Sequence, residues 1–320
     1  SSGNSFNPLS YPYKLYKNNE RDKAVELLEN LGYYFCCEDR FNSSIDPFWN
    51  DSATSLFVGL SLYLFDNAPE KEINLGNILN LVTDLDSLKD KIKEYDKLSP
   101  IYINLSNIVL APVETRGSIV SVFIQKLKLF VSRESLLKLL STTDFDIENI
   151  KKEKTAMFII SNNKDISSRL IPIIIEEAYF AATNNYEKND KRLSILIDSF
   201  ETLVPFKKIT KMLSNSRKFD INFSIYIRSL LELKNIYGKE KADLIKMLSG
   251  NIIYLLANDM ETLHEISALC GQTQTEKGIE PLITKEELKL LNNFEAIILI
   301  PRVYPIKTKL LPDYKIDWTI

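Results

Sequence analysis

Short apolar runs and amphipathic helical patterns alternate regularly through the second half of this chain. The apolar runs lie at 155–160, 193–198, 222–227, 251–256 and 295–300. Runs of this kind predict strands that are covered on both faces, as in a parallel sheet. Helical patterns separate them, at 167–184, 203–217, 229–248 and 260–270. The alternation predicts a doubly wound α/β fold, in which chemistry collects at the carboxyl ends of the strands.

The first half of the chain has helical spacing, and no strand-like alternation is evident between about residues 50 and 150. Helices are predicted at 20–31, 46–66, 74–82, 84–95, 117–130 and 132–140. Asp46 before Pro47 is a favourable N-cap followed by proline at the first helical position. We therefore predict an all-helical domain at 46–150, inserted between an N-terminal part of the α/β domain at 1–45 and its main part at 151–320.

Composition indicates a globular chain and excludes several kinds of site. Of its 320 residues, 45% are hydrophobic and 26% are charged, and no apolar run reaches the ~18 residues of a membrane helix. Cys36 and Cys37 are adjacent and Cys270 is remote, which gives neither a disulfide framework nor a zinc spacing. The single His264 is interpreted as an ordinary helix residue.

The net charge of −3 argues against nucleic-acid binding through overall charge but leaves local basic surfaces open. Candidate DNA contacts are the lysines of 151–154 together with Lys207, Lys208 and Lys211, which could equally be solvated helix faces. The aromatic stretches 11–17 and 32–35 could stack on bases or pack beside a sheet.

The stretch "RLSILIDSFETLV" at 192–204 contains the main candidate site. Its apolar run ends on Asp198, which suits a Mg²⁺ ligand at the end of a strand and suits equally a cap for the following helix. The next residue is Ser199, and the next acid is Glu201. The stretch is therefore either a nucleotide-site strand, an altered version of one, or an ordinary buried strand with a polar end.

A series of segments resembles, in order, the VirD4/TraG-type coupling proteins of conjugative DNA transfer and type IV secretion. The segments are "NSFNPLSY" at 4–11, "DPFWNDSATSLFVGLSLYL" at 46–64, "ETRGSIVSVFIQKLKLF" at 114–130, "TTDFDIENIKKEKTAMFII" at 142–160, 194–238, 251–273 and 281–314. The resemblance implies a RecA-like P-loop-NTPase-type fold with a mainly parallel sheet and an inserted all-α domain. It also implies ATP and Mg²⁺ as cofactors, and single-stranded DNA and relaxase-type proteins as substrates delivered to a secretion channel. It further implies assembly as a hexamer and a cytoplasmic position at the inner face of the bacterial membrane.

The resemblance also assigns roles to four residues. Asp198 takes the metal- and nucleotide-binding position of the Walker B strand, and Ser199 stands where the family has a catalytic glutamate. Arg228 stands at the sensor position, where the family has glutamine. Arg217 resembles the arginine supplied to the neighbouring subunit's nucleotide, although it also suits the negative end of a helix.

The chain departs from the family pattern in a way that puts ATP hydrolysis in question. It contains no G-x-x-x-x-G-K-[ST] loop to surround phosphates with backbone N–H groups. The expectation is a chain without the family's N-terminal region, with an open cleft where a central strand would lie. Our leading hypothesis is a coupling-protein-like component with altered catalytic positions. The alternatives are a non-hydrolysing module that recruits substrates and a degenerate remnant without activity.

Overall fold

The chain folds as two compact units, Ser1–Lys191 and Arg192–Ile320. The computed structural model describes residues 3–36, 46–160, 164–276 and 278–318. The domain boundaries at 45/46 and 150/151 remain a prediction. No single helix among the described residues is long and apolar enough to cross a membrane, although the bent pair Pro100–Val109 and Val113–Val131 meets these requirements together.

All the regular secondary structure described in the first unit is helical. Its helices are α1 Ser10–Lys17, α2 Arg21–Cys36, α3 Pro47–Asn67, α4 Leu75–Thr83, α5 Leu88–Lys91, α6 Pro100–Val109, α7 Val113–Val131, α8 Glu134–Leu139 and α9 Lys164–Asn184. The sequence pattern misses α1 and α6. It also predicts one helix at 84–95, where the structure has the short α5 between two 3₁₀ turns.

The predicted N-cap of α3 is confirmed, and the helix packs closely on α6. Asp46 accepts a hydrogen bond from the Phe48 backbone N–H at 3.0 Å. Gly59 allows the close approach, because a Cβ atom at this position would lie 2.5 Å from Leu105 Cγ. The Asn7 side chain holds the N-terminal segment in place by donating to the backbone oxygens of Ile73 at 2.6 Å and Ser141 at 3.3 Å.

The predicted strand at 155–160 is wrong. These residues have no regular secondary structure, and the side chains of Phe158 and Ile160 are 84% and 86% exposed. A strand needs a neighbour to take its backbone hydrogen bonds, and no described strand pairs with this segment. Apolar composition alone therefore does not establish the strand.

The second unit contains all the described strands. These are β1 Leu193–Ile197, β2 Ile221–Ile225, β3 Ile252–Tyr254, β4 Gln272–Thr275, β5 Gly278–Pro281, β6 Glu295–Leu299 and β7 Ile306–Lys309. Its helices are α10 Ile209–Asn215, α11 Leu230–Tyr237, α12 Lys239–Leu248, α13 Met260–Cys270 and α14 Lys285–Lys289. The helix predicted at 203–217 is shorter than expected. The one predicted at 229–248 is divided at Gly238, whose φ of 75° interrupts it.

The strands form three separate sheets. β1 and β2 are parallel, with Leu193 opposite Ile221 and Ile197 opposite Ile225. β3, β6 and β7 form an antiparallel sheet in the order β3-β6-β7, and β4 pairs with β5 as an antiparallel hairpin. The parallel pair agrees with the doubly wound prediction. β3 and β6 were predicted as strands, but their antiparallel pairing differs from the parallel arrangement predicted for them. β4, β5 and β7 were not predicted, because they carry many polar residues and lack the continuous apolar run of a buried strand.

Helices pack against the sheet of β3 and β6. Leu230 of α11, Leu263 of α13 and Leu288 of α14 share an apolar core with Tyr254 of β3 and Ile297 of β6. The side chains of Leu196 in β1 and Ile253 in β3 are 65% and 60% exposed. The described residues therefore do not cover β1 and β3 on both faces, as the apolar runs predict.

Candidate functional site

The candidate site lies where β1 and β2 end. The two strands are parallel and in register, so Asp198 and Arg228 follow strands that finish at the same edge of the pair. Two backbone hydrogen bonds continue the pairing beyond the strands. Tyr226 N–H donates to Ile197 O at 2.9 Å, and Phe200 N–H donates to Tyr226 O at 3.0 Å. The arrangement matches the position at which α/β sheets bind ligands.

A tight turn follows β1 and leaves Asp198 exposed to solvent. Ser199 adopts the left-handed conformation, with φ 51° and ψ 45°, before the 3₁₀ turn Phe200–Thr202. Its backbone oxygen accepts hydrogen bonds from Thr202 N–H and Thr202 Oγ1, each at 2.8 Å. A residue other than glycine in this region costs about 1–2 kcal/mol, so the turn depends on these contacts.

Glu201 is the acid that comes closest to replacing the missing carboxylate, but it is buried against Arg228. The Glu201 side chain is 4% exposed, and Arg228 Nε lies 3.2 Å from Glu201 Oε1. The contact is an ion pair without hydrogen-bond alignment, since neither carboxylate oxygen has a hydrogen-bond partner. Arg228 is itself 67% exposed. Sequence reasoning placed both residues near the strand ends but did not predict their pairing, because no local pattern encodes it.

Arg217 lies at the opposite end of the strand pair. It belongs to the 3₁₀ turn Ser216–Phe219, which leads into the beginning of β2. A five-residue strand spans ~16 Å, so the exposed Arg217 is separated from Asp198 within this chain. Asp198, Ser199, Glu201 and Arg228 are therefore brought together, and Arg217 is not.

The remaining candidates divide between buried and exposed residues. Lys152, Lys154, Lys207 and Lys211 are exposed, so their role as DNA contacts stays a prediction. Lys151 is buried, and its ammonium group lies 4.4 Å from the centre of the Tyr186 ring, which removes it from a solvent-facing DNA surface. Tyr11 and Phe35, from the two aromatic stretches, are buried in the core and cannot stack on bases. His264 is an exposed residue of α13.

The described ranges contain no cluster of three or more His, Cys, Asp or Glu side chains able to hold a metal ion. Asp198 alone fits one ligand position for Mg²⁺, which prefers few carboxylates together with water and phosphate oxygens. Cys36 and Cys270 are buried, and Cys37 lies outside the described residues.

The comparison that decides the family is a sequence match over most of the chain. The model of the family described as "Type IV secretory system Conjugative DNA transfer" matches residues 2–280. The chain belongs to this family. It is thus a coupling-protein-like component of conjugative DNA transfer, as the ordered segments predict. No curated protein sequence matches the chain.

Solved structures support the fold class independently. The plasmid coupling protein TrwB in complex with the GTP analogue GDPNP has a TM-score of 0.71 at 14% identity, covering 90% of this chain and 68% of TrwB. TrwB with ADP and Mg²⁺ gives 0.70 with the same identity and coverage. VirB4 of Thermoanaerobacter pseudethanolicus gives 0.55 at 10% identity, covering 97% of this chain and 73% of VirB4. These similarities confirm the RecA-like fold with a helical domain.

Proposed function

We propose that this family member delivers DNA–protein substrates to a conjugative secretion channel, and that its β1–β2 site contacts a magnesium nucleotide without activating water. The Glu201–Arg228 ion pair is the observation that supports the absence of water activation. Ser199 occupies the position after Asp198, and the next acid is buried beside a guanidinium group. A hydroxyl cannot replace a carboxylate as a general base at neutral pH.

The proposed roles of the site residues follow from their chemistry. Asp198 is exposed, so its carboxylate is available to hold Mg²⁺, directly or through water. Arg228 is sufficiently exposed to contact a phosphate oxygen while its Nε remains beside Glu201. Ser199 supplies a hydroxyl in place of the family's glutamate. When bound, ATP with Mg²⁺ would supply the phosphoryl chemistry, for which this chain provides only these contacts.

Arg217 is proposed to act on the nucleotide of a neighbouring subunit. It is exposed and lies at the far end of the strand pair from Asp198. An arginine so placed cannot serve the site of its own chain but is available to a second copy, where it would stabilise phosphate charge. This role requires a homo-oligomer, and the family resemblance suggests a hexamer.

The remaining partners are proposed from the family. They are single-stranded DNA, relaxase-type proteins and the channel, reached from the cytoplasmic face of the inner membrane. TrwB was solved with ADP, Mg²⁺ and nucleotide analogues, which supports nucleotide binding as a property to test in this chain.

Turnover of ATP by the full natural chain, with and without single-stranded DNA, tests the proposal. We expect a fluorescent ATP analogue with Mg²⁺ to bind about ten-fold more weakly to Asp198→Ala, because Asp198 is the proposed metal ligand. We expect wild-type turnover no higher than that of Asp198→Ala. Turnover that DNA stimulates and Asp198→Ala abolishes would refute the absence of hydrolysis and support a motor.

Restoring a carboxylate at position 199 provides a second and more specific test. Ser199→Glu introduces an acid at the exposed turn, and Ser199→Gln is its matched uncharged control. We expect turnover to rise only in the glutamate variant, since only a carboxylate can accept a proton from water. Nucleotide binding without turnover in every variant would favour the alternative, a non-hydrolysing module that recruits substrates.

A further inference from the structure

A large pocket lies in the first unit, bordered by the N-terminal segment, α1 and the loop that follows α8. Its volume is about 1070 Å³. Clefts that bind small ligands typically measure ~300–1,000 Å³, so the pocket has room for one. Every residue that borders it belongs to the first unit, so the pocket is distinct from the candidate site after β1 and β2.

Glu177 of α9 is a buried acid that borders this pocket. The residue is 5% exposed, and its carboxyl group has no hydrogen-bond or salt-bridge partner among the described residues. Tyr11 is close enough to interact with it electrostatically, but the Tyr11 hydroxyl makes no hydrogen bond of normal geometry. Buried polar groups almost always have a partner, because an unpaired one costs about 1–3 kcal/mol. The unpaired carboxyl therefore points to a partner that enters the pocket.

Two lysines that border the pocket are held by other groups. Lys14 Nζ lies 3.3 Å from Asp146 Oδ2 and forms a closer salt bridge with Glu148. Lys17 Nζ donates a hydrogen bond to Phe65 O at 2.7 Å. Neither ammonium group is therefore available to neutralise the carboxylate of Glu177.

The charge that remains around the pocket is negative. Asp144 and Glu70 border it together with Glu177, and neither forms a salt bridge with a described residue. Lys71 lies on the exposed turn Glu70–Glu72 at the rim. Aromatic rings, which attract organic cations, complete the lining: Phe6, Tyr11, Tyr13 and Phe145.

These features suit an organic cation better than a metal ion. A metal ion such as Ca²⁺ needs six to eight oxygen ligands, and the described ranges contain no cluster of acids able to supply them. An ammonium group needs only a carboxylate for its charge and an aromatic or apolar wall for its carbon chain. The pocket offers Glu177 for the first and its aromatic rings for the second.

We propose that this pocket binds an organic ligand through an aliphatic ammonium group, with the Glu177 carboxylate as its counter-ion. The ammonium N–H groups donate to the carboxylate oxygens, which are short, charge-assisted hydrogen bonds. The carbon chain of the ligand lies against the aromatic lining. The inference concerns the first unit and does not depend on nucleotide binding after β1 and β2.

Binding of the cation should be linked to release of a proton. Burial raises the pKa of Glu177 well above its usual range, so the acid keeps its proton until a cation arrives. An ammonium group favours the carboxylate, so the proton leaves for solvent and binding tightens as pH rises. Burial also raises the pKa of Tyr11, and the hydrogen bond to Glu148 raises the pKa of Lys14. The other ionisable groups of the pocket and of the turn packed on α9 are Lys17, Glu70, Lys71, Asp144, Asp146 and Glu148.

Calorimetric titration with 4-phenylbutylamine tests the requirement for a charge. Its control is 4-phenylbutan-1-ol, which has the same carbon skeleton and a hydroxyl group in place of the ammonium. We expect the amine to bind the wild-type chain at least about ten-fold more tightly than the alcohol. Titrations in two buffers of different ionisation enthalpy measure proton release, which we expect to approach about one proton per amine bound.

Variants then assign the binding to Glu177. Glu177→Gln keeps the shape of the side chain, and we expect it to weaken amine binding by about ten-fold or more and to abolish proton release. The matched control is Glu29→Gln, at an exposed residue of α2 that does not border the pocket, with an expected change of less than about two-fold. Lys71→Ala removes a competing cation from the rim, so amine binding should be unchanged or tighter.

A second set of ligands identifies the source of the ammonium group. Spermidine represents free amines, and the peptide acetyl-Gly-Lys-Gly-amide represents a lysine side chain of another polypeptide. Both carry the proposed group, and the one that binds more tightly and loses more affinity in Glu177→Gln identifies the source.

Four results would overturn the proposal. The first is absence of amine binding up to about 10 mM, which is weaker than −3 kcal/mol of binding free energy on the usual scale. The second is equal binding of the amine and the alcohol, and the third is equal affinity of Glu177→Gln and wild type for the amine. The fourth is tighter binding of inorganic phosphate than of the amine, lost in Lys71→Ala, because it would make the pocket an anion site.

Discussion

Removal of Arg228 should destabilise the β1–β2 pair because it leaves the Glu201 carboxylate buried without a counter-charge. The carboxylate is 4% exposed, its nearest cation is Arg228 Nε at 3.2 Å, and neither of its oxygens has a hydrogen-bond partner. Arg228→Ala removes that cation and does not provide a donor in its place. The substitution therefore tests whether the ion pair holds Glu201 in the turn after β1.

The expected loss of unfolding free energy lies between two known limits. Breaking a fully buried ion pair from one side costs about 3–5 kcal/mol, whereas exposed pairs contribute about 0–1 kcal/mol. Only the Glu201 half is buried, and Arg228 is 67% exposed, so water screens much of the interaction. We expect Arg228→Ala to lower the unfolding free energy of the β1–β2 strand pair by about 1–2 kcal/mol.

Native-state amide exchange in β1 and β2 is the appropriate assay, because the chain has two compact units and a global unfolding curve would combine them. Glu201→Gln removes the charge and retains the shape, so it should cost less than about 0.5 kcal/mol. The double variant should be more stable than Arg228→Ala alone. Arg217→Ala, at an exposed arginine at the other end of the strands, is the control. Equal stability of Arg228→Ala and wild type, or a larger cost for Glu201→Gln, would refute the reasoning.

Three further predictions concern the first unit. Gly59→Ala should cost about 1–3 kcal/mol, measured by native-state amide exchange in α3 and α6, because its Cβ would lie 2.5 Å from Leu105 Cγ. Gly117→Ala, with open space around it, should be neutral or stabilising. Asp46→Ala should lower stability by about 1 kcal/mol through loss of the α3 cap, with Asp46→Asn retaining most of it. Burial raises the pKa of Glu177 well above its usual range. Wild-type stability should therefore fall as pH rises above ~4.3, where the unfolded chain ionises first. Glu177→Gln should abolish this decline, and an unchanged pH profile would contradict the account.

The features that sequence predicts correctly here are those that neighbouring residues determine. The strands around Ile195 and Ile297 are rich in apolar residues, and Asp46 with Pro47 specifies the start of α3. The strand predicted at 155–160 has the same apolar character but no described neighbour. The Glu201–Arg228 contact also cannot be predicted from the sequence, because it depends on the register of two strands. Composition thus identifies apolar segments, whereas pairing decides which become strands and which side chains meet.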